Sequence, residues 1–138
     1  MALNLVEFLR ARLDEDEQLA CDADGTLGGL DKDWTYKSDD GVSGRVLARG
    51  YYIVLSDVQG NVGTHVATHD PRRVIAEVES KRKLVTAYEN AVASFGNTEV
   101  GTSVHDLMTG SVNSLRYALQ LLALPYAGHP GYKKEWRP

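Results

Sequence analysis

The sequence is poor in most of the features that would narrow its function quickly. A single cysteine, Cys21, in 138 residues excludes an intramolecular disulfide and with it a small disulfide-stapled scaffold. No apolar run approaches the roughly 20 residues of a membrane-spanning helix. The longest, Ala118 to Tyr126, is interrupted by Gln120. The opening stretch, Met1 to Arg10, has neither the basic leader nor the continuous apolar segment of a signal peptide, so a cytoplasmic protein is expected, with no membrane partner. An excess of one charge is missing too. A net charge of −4 and a pI near 5.5 give no field for gathering phosphate backbones, and nucleic acid is not expected as the main partner. Internal repeats and low-complexity segments are also lacking.

What remains is the composition of an ordinary globular protein, 43% apolar and 25% charged, long enough for one domain over residues 1–138. No cofactor is implied. Residues 3 to 20 place Leu5, Phe8, Leu9, Leu13 and Ala20 on one face of a first helix, with Asn4 as its N-cap. Residues 22 to 33 are rich in Gly and Asp and predict a loop. Three β-prone segments follow, around Trp34 to Tyr36, Arg45 to Ala48 and Tyr51 to Leu55, with turn signals at Asp39-Asp40-Gly41 and Gly50. A turn at Asp57 to Gly63 then leads to a short extended piece, His65 to Ala67. The strongest start signal is Asp70-Pro71, an N-cap followed by proline at the first helical position. The helix it opens carries Val74, Ile75, Val78, Val85 and Val92 on one face and ends near Ser94. Ser103 caps a third helix with Val104, Leu107, Val112, Leu115, Leu119 and Leu122 on its apolar side, and Gly110 near its middle suggests a kink or a close helix contact. Pro125 ends it. The aromatic tail from Tyr126 to Pro138 suits an ordered irregular strap. The expected fold is therefore α+β: three helices packed with a small antiparallel meander of about three strands and an ordered C-terminal tail.

Three separated stretches, taken together, resemble a family of small actinobacterial and actinophage proteins of unknown function. They are Leu5-Val-Glu-Phe-Leu-Arg-Ala-Arg-Leu-Asp-Glu-Asp-Glu17, the His65…His69-Asp70-Pro71…Arg73-Val74 start with Glu77 to Arg82, and Leu121-Leu-Ala-Leu-Pro-Tyr126 with His129-Pro130, Tyr132 and Glu135-Trp-Arg-Pro138. The resemblance implies a cytoplasmic bacterial or phage protein. It brings no catalytic residues with it.

Candidate chemistry is sparse. Asp22-Ala-Asp-Gly-Thr-Leu27 looks like the nucleophile motif of haloacid dehalogenase-like phosphohydrolases, but the residues before it are acidic and helical where that chemistry needs a buried strand end. Asp31, Asp33 and Thr35 fail as a calcium loop because Tyr36 stands where glycine is required. Ser103, His105 and Asp106 cannot make a triad from adjacent helical positions. His65 and His69, with His129 as a third ligand, form a possible metal set; in extended chain before Pro71 the first two would lie about 13 Å apart. Arg72 and Arg73 oppose the helix dipole at the start of the second helix, so with His69 and the free N–H groups they make a candidate anion or phosphate site. Lys81-Arg82-Lys83 is matched by nearby glutamates, and Cys21 is expected to be semi-buried. Tyr126, Tyr132 and Trp136 are tail anchors or an aromatic interaction surface. With no complete catalytic constellation, the leading expectation is a non-enzymatic module that binds an unknown protein partner or forms a homo-oligomer. The alternative is a small-ligand protein or enzyme with its site around His65, His69, Asp70 and Arg73.

Overall fold

In the computed structural model, residues 4–26 and 33–138 are described. The elements in chain order are α1 (Leu5–Thr26), β1 (Trp34–Lys37), β2 (Ser43–Ala48), β3 (Tyr52–Gln59), α2 (Gly60–Thr68), α3 (Pro71–Gly96) and α4 (Ser103–Ala123), followed by 3₁₀ turns at Leu124–Tyr126 and Lys134–Trp136. The class is α+β as expected. Among the described residues there are four α-helices rather than three. Backbone contacts divide the chain into two compact units, Met1–Asp14 with Glu79–Pro138, and Glu15–Val78.

The first unit is helical with a docked tail. Asn4 opens α1 with a reciprocal capping box: its Oδ1 accepts from the Glu7 N–H at 2.9 Å, while Glu7 Oε2 accepts from the Asn4 N–H at 3.0 Å. Phe8, Leu9, Val85, Leu119, Ala123 and Trp136 form the buried core, with Tyr88, Leu122, Tyr126 and Tyr132 packed around it. Thr102, not Ser103, caps α4, accepting from the His105 N–H at 3.2 Å. Gly110 makes no close helix contact, since a Cβ built there meets nothing within 4 Å. No packing contact therefore offsets the entropic cost of a helical glycine. Gly110→Ala should therefore raise the unfolding free energy by about 0.5–1 kcal/mol in a urea melt.

The second unit is a meander covered by a short helix. The sheet order is β1-β2-β3, antiparallel throughout, with Trp34 opposite Ala48 and Leu47 opposite Ile53. At the β1–β2 turn Asp40 Oδ1 accepts from the Val42 N–H at 2.8 Å and the Ser43 N–H at 3.1 Å. These bonds, the one from Val42 first, hold its pKa below the ordinary carboxylate value of 3.8. A carboxylate with a lowered folded pKa stabilises above the unfolded value and loses that contribution as pH falls through the folded one. Amide exchange at Val42 and Ser43, at matched intrinsic rate, should therefore stay protected down to about pH 4 and accelerate only below it. Asp40→Asn should abolish that acid-induced step.

Residues 60 to 68 correct the sequence reading. The stretch Gly-Asn-Val-Gly-Thr-His-Val-Ala-Thr, expected as a turn and an extended piece, is helix α2, and it packs on all three strands. Two glycines, two valines and two threonines are poor helix formers, so tertiary packing overrides local propensity here. The reason lies at Tyr36. Its phenol donates to the Val58 carbonyl at 3.0 Å, and its ring lies against Gly63 so closely that a Cβ there would overlap it. Only glycine lets the helix backbone come so near. The predicted loop at 22 to 33 is likewise corrected at its start, because α1 runs on through Asp22 to Thr26; positions 27–32 lie outside the described residues.

Candidate functional site

The junction between α2 and α3 is built around Asp70, the one buried charged residue among those described, at 6% exposure. Its Oδ1 accepts from the Arg73 N–H at 2.9 Å, the N-cap bond expected from sequence, while Oδ2 accepts from the Trp34 N–H at 3.0 Å. One carboxylate thus closes the start of α3 and ties the first residue of β1 to it. Losing it leaves two donors without partners, so Asp70→Ala should cost about 2 kcal/mol by chemical denaturation. Asp70→Asn, which keeps one acceptor oxygen, should cost less.

Of the candidate anion residues, Arg73 is engaged within its own helix start, while Arg72 and His69 are exposed. The Arg73 Nε donates to Glu77 Oε1 at 2.9 Å, one helical turn on, and its N–H is taken by Asp70. This i,i+4 pair answers the question raised by an arginine in a first turn, where it opposes the dipole.

His65 and His69 come closer than extended chain would put them. Because α2 is helical and His69 is its C-cap, their rings lie in tilted contact with centroids 4.4 Å apart, and His69 Nδ1 bonds the His65 carbonyl at 2.9 Å. His129 belongs to the other unit. Its Nδ1 accepts from the Gly131 N–H at 2.9 Å and its ring meets Phe8 edge-on at 5.6 Å. Among the described residues no three His, Cys, Asp or Glu side chains form a group that could hold a metal.

The other sequence candidates are also placed. Asp22 and Asp24 stand on α1 rather than at a strand end, and Asp22 Oδ1 accepts from Gln18 Nε2 at 2.8 Å. Cys21 is exposed instead of semi-buried, since it lies on the outer face of that longer helix. Arg82 pairs with Asp14 at 2.5 Å. His105 meets Phe95 in a tilted ring contact at 4.7 Å and bonds Thr98 Oγ1 at 2.9 Å, a tie across the turn between α3 and α4. Tyr126, Tyr132 and Trp136 gather around Phe8 at centroid distances of 6.4, 6.0 and 5.0 Å. Trp136 is 5% exposed and therefore serves as an anchor of the tail.

Two surface features are not legible in the sequence. The first is the end of the α3–α4 hairpin. Val92, Val104 and Leu107, all assigned by periodicity to core faces, are 41, 57 and 65% exposed, and Val100 in the connecting turn is 82% exposed. Val104 lies on the same face of α4 as Leu115 and Leu122, which are half-buried, so the apolar stripe continues past the point where the fold covers it. From Leu84 to Leu115 the chain carries Glu89, Glu99 and Asp106 and not one Lys or Arg. The second is a cleft of about 600 Å³ in the helical unit, between the start of α1, Tyr88 and Glu89 of α3, Arg116 of α4 and the tail. Leu5, Val6, Tyr88 and Trp136 supply its apolar surface, while Arg10 pairs with Glu89 at its rim at 2.5 Å.

No helix among the described residues is long and apolar enough to cross a membrane. Comparison with curated proteins and with solved structures finds no match to either. A family model does match, over residues 2–138, and by that match the chain belongs to DUF6221, a family of unknown function.

Proposed function

We propose that this chain is a non-enzymatic, cytoplasmic, single-domain interaction module, and that the end of its α3–α4 hairpin is the docking surface. The observation that carries the reading is the exposure of four large apolar side chains, Val92, Val100, Val104 and Leu107, within one helix–turn–helix segment. Large apolar side chains left exposed together in one segment, among polar neighbours, are a feature of protein interaction sites. The charged groups of this stretch are all acidic, with no Lys or Arg over 84–115, so the complementary partner is a protein surface or helix that presents apolar anchors flanked by Lys or Arg. Docking there buries the apolar side chains and neutralises Glu99 and Asp106.

The test is a comparison of the wild-type chain with Val104→Asp/Leu107→Asp, both tagged and recovered from the cells that produce the protein. Both positions are exposed, so the variant should keep its thermal midpoint. A partner with a basic contact surface should accompany the wild type in stoichiometric amount and be absent from the variant. Identical sets of proteins recovered with both would end this reading. Recovery of further copies of the chain alone would overturn the basic-partner assignment.

A further inference from the structure

We propose that the cleft of the helical unit binds a small monoanionic molecule with an aromatic or aliphatic body, its anionic end held by Arg116. The cleft volume, about 600 Å³, falls in the range of small-molecule sites, and the site combines an apolar surface with a few charged groups. The charges on its wall are nearly all committed. Arg10 and Glu89 pair at 2.5 Å, Glu7 takes the Asn4 N–H, and Lys133 stands 5.3 Å over the Trp136 ring and 3.9 Å from Glu135. Arg116 has neither an ion pair nor a hydrogen bond among the described residues. It is therefore the cation free to take a ligand's carboxylate or sulfonate, through the forked geometry that suits a planar anion.

The same inventory restricts the ligand. Glu7, Glu89 and Glu135 line the cleft beside Arg10, Arg116 and Lys133, so the wall is formally neutral and a second or third negative charge on the ligand meets carboxylate repulsion. Polyphosphates are thereby disfavoured. The half-buried Leu5, Val6 and Tyr88 offer the surface for an apolar or aromatic body, with the largely buried Trp136 also lining the cleft.

The experiment is an NMR titration of the ¹⁵N-labelled full chain with indole-3-acetate, using indole and pyrophosphate as comparators. The two tryptophans give an internal control, since Trp136 lines the cleft and Trp34 belongs to the other unit. Indole-3-acetate should shift the Trp136 indole N–H and the Tyr88 amide saturably and leave Trp34 unmoved. Indole should bind about ten-fold more weakly or worse, and pyrophosphate should give no saturable shift. Arg116→Gln, an exposed substitution on α4, should weaken indole-3-acetate by about ten-fold with the fold intact, as judged by the unchanged remainder of the spectrum. Non-saturable shifts, an unaltered affinity in Arg116→Gln, or tighter binding of pyrophosphate would overturn the proposal.

Discussion

Phe8→Ala is expected to lower the unfolding free energy by about 3–5 kcal/mol, a large part of the total of a small protein. Phe8 is 1% exposed and its ring meets four others, Tyr126, His129, Tyr132 and Trp136, all contributed by the segment after α4. The tail has no regular structure beyond two 3₁₀ turns, so it is held by side chains more than by a backbone ladder. Rigid rings collapse poorly into the space a missing ring leaves, which puts the cost at the upper end for a core truncation. Two readouts should move together. The urea midpoint should fall, and amide exchange across 126–136 should accelerate well beyond that of α4. Phe8→Leu, which preserves most of the volume, should cost less on both. A loss of stability with unchanged exchange in the tail would mean that Phe8 supports the helices alone.

Gly63→Ala is the second large effect, expected to cost about 3 kcal/mol although alanine is the better helix former by roughly 1 kcal/mol. The added methyl would overlap the Tyr36 ring, and that ring is fixed at its far end by the bond to the Val58 carbonyl. Neither the ring nor the helix backbone can yield without giving up the packing of α2 on the sheet. Two comparisons separate this clash from a general intolerance of change in α2. At Gly60 the nearest Tyr36 atom would be 3.7 Å from a new Cβ, an ordinary contact, so Gly60→Ala should be close to neutral. In a Tyr36→Ala background the space is already empty, so Gly63→Ala should there cost far less, a non-additivity measurable by a double-mutant cycle. Additive effects would contradict the assignment.

These two sites also show how far the sequence can be read. Where one residue supplies both the local signal and the structural reason, the reading holds: Asn4 and Asp70 are helix caps by type and position, and the turns at Gly41 and Gly50 carry the positive φ values that glycine favours. The meander follows because its connections are short. Helix α2 escapes the sequence reading because its helicity comes from the contact of Gly63 with a tyrosine 27 positions earlier (63 minus 36), and pairwise packing leaves no periodic trace. Gly60, Gly63 and the threonines signal a turn locally, and the fold overrules them.

The site is less legible than the fold for a related reason. Periodicity marks which face of a helix is apolar, but not whether anything covers it. Val104 and Leu107 belong to the apolar stripe of α4 that periodicity assigns to the core with Leu115 and Leu119, of which only Leu119 is fully buried. The arginines of the α3 start suggest an anion site because they oppose the dipole, and the pairing of one of them, Arg73, with Glu77 a turn further on cannot be told from sequence type alone. The cleft around Arg116 is assembled from residues at positions 4 to 136, too far apart in sequence to form a motif.

The most direct test of the interaction reading is site-specific photo-crosslinking in producing cells, with the reactive side chain placed in turn at Val100, Leu107 and, as a control on the tail, Lys134. One shared adduct is expected from positions 100 and 107, with a protein whose contact surface is basic, and none of it from 134. Absence of any adduct from 100 and 107, or the same adduct from all three positions, would contradict it.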